Sequence, residues 1–296
     1  MAAGAGSPGW TPNQFTYAAG TQPETYLAEV TSGNLRGTFY KITANGANAL
    51  TLDTEGDDLT SHPLGALQAN DSVRVRPYWR IRDIFEANGT PLIEARPAGF
   101  RAKDDIIIPS FGSGATQTPA TIIHFFNGWK ASRTVSTDVR DFPLQPNTSI
   151  ILRRRNPNPL NLVNLGNVAM TRNVSYVPGG DGATPNATYL ALAHAAPVTL
   201  DASGLYNPAN PAASVIKPST ADQEGLRQDE LLEFDNAAPG FNKAPSAIYY
   251  YKAGEGWKNT GGALVGATKL LEPGKGYVIR KLASNPGVDW VKDPNY

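Results

Sequence analysis

Three short segments of this chain each recur once, in the same order and at similar spacing, which indicates an internal duplication. The matched pairs are 104–108 with 229–233, 119–130 with 245–258, and 144–153 with 271–280. The last pair aligns without gaps. The middle pair ends on Gly-Trp-Lys in both copies, with two extra residues before the glycine of the second. Both copies must therefore build the same unit, which strongly constrains the architecture.

Each copy contains a proline-led turn followed by a strand-like run. The turns are Pro146-Asn147 and Pro273-Gly274. Proline fixes φ at the first central position of a turn, and Asn and Gly are the residues that most readily take a positive φ at the second. The runs that follow are rich in β-branched and aromatic residues, which strands prefer. Both copies are therefore predicted to keep a type II turn although their sequences differ.

The rest of the sequence also favours short strands. Its 29 Gly and 24 Pro residues are spread along the chain, as is typical of many strands joined by specific turns. Helix is expected only over Thr220–Glu230, which begins with capping-box spacing, and over one or two turns at Arg80–Glu86. We expect an all-β fold, with an N-terminal β module followed by two duplicated β-sandwich- or barrel-like units. The expected segments are a leader over 1–8, the β module over 9–76, the first repeat unit over 77–170, a linker over 171–197 and the second repeat unit over 198–296.

The composition excludes several classes of function. The formal net charge is zero, so no global field would draw the chain to nucleic acid or to an anionic membrane. Cysteine is absent, which excludes disulfides and thiolate metal sites. No apolar run is long enough to cross a membrane, and the first ten residues lack the basic and apolar regions of an intact signal peptide. We therefore expect no nucleic-acid partner and no transmembrane segment and, if the protein is exported, a mature form of it.

A basic stretch at 74–82 interleaves four arginines with Tyr78 and Trp79. Proteins that bind single-stranded nucleic acid combine basic and aromatic residues in this way. Because the chain as a whole is neutral, a solvated strand face or a contact with acidic partners is the favoured interpretation.

Catalytic groups are scarce, and we expect no enzymatic activity. His124, one of three histidines, lies at a strand position that Tyr250 occupies in the second copy, so packing is favoured over a role as a general base. Carboxylate pairs at 104–105 and 229–230 recur in both copies. Each pair precedes a strand, where carboxylates commonly serve turns, so a pair of glycosidase carboxylates is disfavoured.

Aromatic residues of both copies suggest sugar binding as an alternative. They are Trp129, Trp257, Tyr249, Tyr250 and Tyr251. Aromatic faces stack well on sugar rings, so a platform built from these side chains would bind a surface polysaccharide. All five lie in or beside predicted core strands, where alternation buries at least half of them, and packing in a core or an interface is therefore favoured.

Four carboxylates surround a glycine in a predicted turn of the N-terminal module. They are Asp53, Glu55, Asp57 and Asp58. Calcium prefers oxygen ligands, but this spacing is not that of an EF-hand loop. A structural calcium ion and a solvated turn both remain open, with the solvated turn favoured, and no other cofactor is expected.

Several motifs resemble those of exported proteins. The strand, the Gly-Trp turn and Leu271–Tyr277 are similar to PGxGY modules of bacterial and archaeal cell-surface proteins. Other segments resemble a module common in phage structural proteins and secreted bacterial proteins. They are Trp10–Phe15, Thr31–Gly33, Ile42–Asn45 and Ala49–Leu52.

The combination of these motifs with Pro77–Trp79 and Val198–Leu205 resembles an uncharacterised secreted family seen mainly in Verrucomicrobia. The resemblance covers most of the chain beyond about residue 9. It implies export and a surface role, and it carries over no catalytic or binding residue.

We therefore expect a non-catalytic secreted structural protein, a cell-surface, matrix or filament subunit that self-associates through its β edges or its leader. Its expected location is extracellular or at the cell surface. The alternative is an extracellular carbohydrate-binding protein, and the second alternative is a viral or phage structural protein.

Overall fold

A computed structural model describes residues 8–54, 57–93, 104–109, 121–131, 137–154, 160, 162, 170–237 and 243–295. The described chain is nearly all β, with several sheets, which confirms the predicted all-β class.

In chain order its elements are β1 (Tyr26–Val30), β2 (Phe39–Asn45), β3 (Leu50–Asp53), β4 (Val73–Pro77), β5 (Trp79–Arg80), α1 (Ile81–Phe85), β6 (Glu86–Ala87), β7 (Thr90–Pro91), β8 (Asp104–Ile108), β9 (Thr121–Phe125), β10 (Trp129–Ala131), β11 (Pro143–Leu144), β12 (Ile151–Arg154), β13 (Asn173–Val177), β14 (Asn186–Ala191), β15 (Val198–Thr199), β16 (Glu230–Glu233), β17 (Ala247–Lys252), β18 (Gly256–Asn259), β19 (Leu270–Leu271), β20 (Gly276–Lys281) and β21 (Val288–Lys292). Two 3₁₀ turns cover Pro211–Ala213 and Glu224–Leu226.

The described residues fall into two compact units. The first contains the described residues up to Thr90, together with 140–146 and 170–174, and the second contains the remainder. This division differs from the predicted segments. The predicted leader lies, except for Pro8, outside the described residues. The predicted linker holds β13 and β14, and β14 pairs with β20.

Three sheets share one strand order. Sheet A has the order β3-β2-β1-β4 and sheet B the order β10-β9-β8-β12, and sheet C has the order β14-β20-β16-β17-β18. In each, three consecutive strands form an antiparallel meander that begins at β1, β8 or β16, which we call the first strands, and a later strand returns to pair with that first strand. We call β4, β12 and β20 the fourth strands. In sheet C, β14 adds a fifth strand beyond the fourth.

Sheets B and C also share their register, residue by residue. Asp105 lies opposite Arg153 in sheet B, and Glu230 lies opposite Arg280 in sheet C. The two pairs come from positions that the sequence alignment matches. The other ladders agree in the same way, since Phe125 lies opposite Trp129 and Tyr251 opposite Trp257. The two copies therefore pair equivalent residues throughout their meanders.

The predicted turns have the backbone geometry that their residues favour. Asn147 has a φ of 62° and Gly274 a φ of 77°, so both copies place a positive φ after the proline. Lys275 N donates to Glu272 O (3.3 Å) and closes the second turn. The glycines of the two Gly-Trp pairs also have positive φ, 109° at Gly128 and 114° at Gly256, where a residue with a Cβ would be strained.

The largest core lies in the second unit, on one face of sheet C. Its central side chains include Leu231, Tyr249 and Ile279, which come from three adjacent strands, and Trp257 and Trp290 complete it. A smaller group of Ala187, Leu232 and Val278 is buried on the opposite face. In the first unit, Phe15, Ala28, Ile42 and Leu50 form the core of sheet A. Alternation along the strands thus sends successive side chains to opposite faces.

One of the two helix predictions is confirmed and the other is wrong. A single helical turn, α1, forms where Arg80–Glu86 was predicted, and the Asp83 carboxylate accepts the Arg80 N–H (2.8 Å) at its start. Thr220–Glu230 forms only a 3₁₀ turn, and Glu230 already begins β16. This segment has no apolar stripe to bury, and its Leu226 is 55% exposed, so packing does not stabilise a helix there. Within the described residues, no helix is long and apolar enough to cross a membrane.

Candidate functional site

Each of the three sheets places a buried carboxylate on its first strand opposite a cation on its fourth. In sheet B, the Arg153 guanidinium contacts Asp105, and Arg154 Nε lies 3.4 Å from an Oδ of Asp104. Both carboxylates are almost fully buried. The residue pairs predicted as possible glycosidase carboxylates are therefore used in ion pairs with their own sheet.

Sheet C repeats this arrangement with different residues. Glu230 binds Arg280 across the ladder and also accepts a hydrogen bond from Arg227 (3.0 Å). Asp229 binds Lys281, whose Nζ lies 3.2 Å from Oδ2. These residues stand at the positions of Asp105 and Asp104, so the two ion pairs are equivalent in the two copies.

Asp229 and Lys281 are both completely buried, and polar contacts surround them. Asp229 accepts hydrogen bonds from the backbone N–H groups of Lys217 and Leu282, both at 3.0 Å, and from the side-chain amide of Asn285 at 2.6 Å. Burial lowers the pKa of Lys281, although the carboxylate opposes this effect. These donors and the Lys281 ammonium group surround the buried carboxylate with polar partners, as suits a structural role.

The basic stretch is also paired within the chain. Glu29 on β1 is 6% exposed and binds both Arg74 Nη2 (2.9 Å) and Arg76 Nε (3.0 Å) on β4. Arg80 pairs with Asp83 (2.8 Å), and hydrogen bonding to this carboxylate is the main cause of the raised pKa of Arg80. These arginines therefore meet carboxylates of their own unit, and a contact with acidic partners stays a prediction.

Two carboxylates of the predicted calcium cluster accept hydrogen bonds from neighbouring side chains and backbone. Asp57 accepts a hydrogen bond from the Tyr40 hydroxyl (3.2 Å). Asp58 accepts hydrogen bonds from the N–H and hydroxyl of Thr60 (2.9 and 2.6 Å) and from the Ser61 hydroxyl (2.6 Å). Hydrogen bonding to Ser61 and Thr60 lowers the pKa of Asp58 to about 2.

Asp53 lies in β3 opposite Lys41, and Glu55 lies outside the described residues. Across the described ranges, no group of three His, Cys, Asp or Glu side chains could hold a metal ion. Asp57 and Asp58 thus accept hydrogen bonds from hydroxyl and amide donors of the chain, and both the calcium ion and the solvated turn stay predictions.

The aromatic residues predicted to stack on sugar are mostly buried. Trp129 is 0% exposed and Trp257 is 1% exposed, and each makes an edge-to-face contact, with Phe125 (5.5 Å between ring centroids) and Tyr251 (5.7 Å) respectively. Tyr249 and Tyr250 are also buried, so these rings form no planar exposed platform. Burial and core packing explain the two indoles and Tyr249. Trp79, which is 53% exposed, is an exposed indole outside the predicted set.

Tyr250 points away from the apolar core into a group of charged side chains. Its hydroxyl donates to Asp222 (2.8 Å), and Lys258 contacts both Asp222 (3.4 Å) and Glu255 (2.6 Å). Desolvation, followed by the hydrogen bond to Asp222, raises the pKa of Tyr250, whereas the same hydrogen bond lowers the pKa of Asp222. His124, at the position of Tyr250 in sheet B, is likewise buried.

No protein-family model, no curated protein and no solved structure matches this chain. Its function must therefore be inferred from its own geometry.

The sequence interpretation missed the relation of sheet A to the other two. Residues 67–76 share Leu, Gln, Asn, Ser and Arg with 144–153 at equivalent places. The turn before the fourth strand has a matching hydrogen bond, since Asp71 N donates to Gln68 O (3.0 Å), although Asn70 does not take the positive φ of Asn147 and Gly274. The signal was therefore present, but Ala69 replaces the proline that marks the turn in the other two segments.

Proposed function

We propose that this chain is a non-catalytic structural protein that self-associates, a subunit of a cell-surface, matrix or filament assembly. The observation that carries the proposal is the use of its buried charges. The carboxylates at the ends of the first strands of sheets B and C bind cations of the fourth strands at equivalent positions. Carboxylates that bind cations of a neighbouring strand help to fix its register and are not free to act as catalytic groups.

We also propose that the chain arose by repetition of one four-stranded unit, which is used three times. The common strand order and the matched registers of sheets B and C support this. Repetition of one β unit is typical of proteins whose role is to build extended surfaces. The resemblance to exported PGxGY proteins supports a location at the cell surface.

Light scattering of the purified full chain over a wide concentration range tests the proposal. A self-associating subunit gives masses above that of one chain, in multiples that rise with concentration. Electron microscopy of the same samples then separates closed oligomers from filaments. A strictly monomeric chain at every concentration would contradict the structural role.

Sugar binding stays an alternative, but fewer aromatic side chains could support it than the sequence suggested, because four of the five proposed stacking residues are buried. The exposed Trp79 is a better candidate for stacking than the buried indoles of the two copies. A glycan array run with the native chain and with Trp79→Ala tests it, since loss of a signal in the variant would favour this alternative. A phage or viral structural role, the remaining alternative, would give the same self-association and is separated from a cellular one by the genes that surround its own.

A further inference from the structure

The strongest unexplained feature is the outer edge of a fourth strand, meaning the edge that faces away from the first strand. In sheet C this edge of β20 pairs with β14 over six residues. Among the described residues, no strand pairs with the same edge of β12 in sheet B. Ile151 on β12 is 40% exposed, whereas Val278 at the equivalent position of β20 is 5% exposed.

The hydrogen bonding of β4 shows which residues of a fourth strand face outward. Tyr78 N donates to Thr25 O (2.8 Å) just beyond the end of β4 and in register with the β1–β4 ladder. Because bonded pairs alternate in an antiparallel ladder, Arg76 bonds to β1. The backbone groups of Val75 and Pro77 therefore face outward.

The same alternation holds in sheet C. The Ala191 N–H donates to Asn147 O (3.1 Å) and therefore not to β20. The pair of Ala191 and Gly276 is thus a non-hydrogen-bonded pair of the β14–β20 ladder. The alternation then directs the backbone groups of Tyr277 and Ile279 toward β14. Leu152 on β12 stands at the position of Ile279 in the shared register. The N–H and C=O of Leu152 therefore face the outer edge of sheet B.

The three sheets therefore treat this edge in three ways. Sheet C covers it with β14. Sheet A places Pro77, which has no N–H, at an outward position of β4. Proline and charge are the devices by which proteins block edge strands. Sheet B has neither a covering strand in the described residues nor a proline in β12. By the shared register, the N–H and C=O of Leu152 therefore lie on an edge that no described strand occupies.

We propose that the outer edge of β12 pairs with the β12 edge of a second copy of this chain. This inference rests on the proposed self-association and names its interface. Neighbouring strands run antiparallel in all three sheets, and a strand that meets its own copy across a two-fold axis is antiparallel as well. Pairing would join two copies of sheet B into one continuous sheet.

The charges of β12 allow this pairing. Arg153 and Arg154 would repel their copies if they were uncompensated, but they already bind Asp105 and Asp104 within the same sheet. The strand therefore meets its copy as a set of neutral pairs, and the exposed Ile151 is covered. An acidic partner would be favoured only if β12 carried unpaired cations, and both of its arginines are paired within sheet B.

The test compares matched proline substitutions in the full chain, using light scattering and sedimentation. Leu152→Pro removes an outward N–H from β12 without breaking the bonds to β8. Val75→Pro makes the same change at the equivalent position of β4, where Pro77 already blocks the edge. Both residues are half-buried, so the two variants lose similar packing. Ile151→Lys is a second variant that keeps every N–H and adds an edge charge.

We expect Leu152→Pro and Ile151→Lys to raise the dissociation constant by at least about tenfold, and Val75→Pro to associate as the native chain does. If Leu152→Pro does not fold, as judged by circular dichroism, Ile151→Lys alone decides. Native-like association of the β12 variants would overturn the β12 interface and leave the structural role standing. A native chain that never associates would overturn both.

Discussion

Lys281 Nζ lies 3.2 Å from Asp229 Oδ2, and neither side chain has any surface in contact with solvent. The pair joins the residue that precedes β16 to the end of β20, so it lies across the ladder that closes the meander of sheet C. Burying both charges costs desolvation free energy, which the three additional donors to Asp229 help to offset. The register of β16 and β20 therefore decides whether the buried Asp229 carboxylate meets its cation.

Lys281→Met is expected to destabilise the second unit by about 3–5 kcal/mol, because it leaves a buried carboxylate without its cation. Chemical denaturation followed by circular dichroism measures the loss. Lys275→Met is the control, since Lys275 pairs with Glu272 on the surface and such pairs contribute little. Equal losses of unfolding free energy in the two variants would show that the buried pair contributes no more stability than the surface pair.

The tryptophans of the two copies are expected to act as core residues. Trp129→Ala and Trp257→Ala should each cost about 3–5 kcal/mol of unfolding free energy, the usual range for a large buried side chain. Trp79→Ala should cost less than about 0.5 kcal/mol, because its ring is largely exposed. Chemical denaturation separates the two classes. A small effect of Trp257→Ala would reopen the sugar-stacking interpretation.

Much of the fold was predictable where it depends on local chemistry. Asn147 and Gly274 take the positive φ that their turns require, and the buried indoles follow from a Gly-Trp turn beside an apolar strand. Pairings between distant residues were not predictable. Nothing near Asp229 in sequence marks Lys281 as its partner, because the register of a returning strand decides that contact. Sheet A was missed because its turn lacks the proline on which the alignment relied.

Gly274→Ala tests the turn chemistry apart from packing. A Cβ added at Gly274 would meet open space, so the cost comes only from its φ of 77°, and a loss of about 1–2 kcal/mol is expected. Gly225→Ala is the matched control, since its Cβ would also meet open space and its φ is not positive. This control should be neutral in thermal unfolding. Equal effects at the two sites would mean that backbone strain does not explain the turn.

The tyrosines of sheet C predict a loss of stability at alkaline pH. Desolvation, followed by the hydrogen bond to Glu233, raises the pKa of Tyr249, and desolvation is also the main cause of the raised pKa values of Tyr251 and Tyr277. A phenol whose folded pKa exceeds its unfolded value of about 10 holds its proton more tightly in the folded state. Its contribution to stability is fully present below pH 10 or so and is lost as the pH rises through the folded pKa.

Unfolding free energies measured from neutral to strongly alkaline pH should therefore fall above a pH of about 10. Tyr249→Phe removes the ionising hydroxyl, which donates to Glu233 at 2.9 Å. The variant should lose stability at neutral pH and show a shallower decline in alkali. Lys281 acts in the opposite direction, because burial lowers its pKa and the folded state then releases its proton before the unfolded state does. The alkaline decline should for that reason steepen in Lys281→Met, and a decline that stays the same in both variants would show that neither buried group controls it.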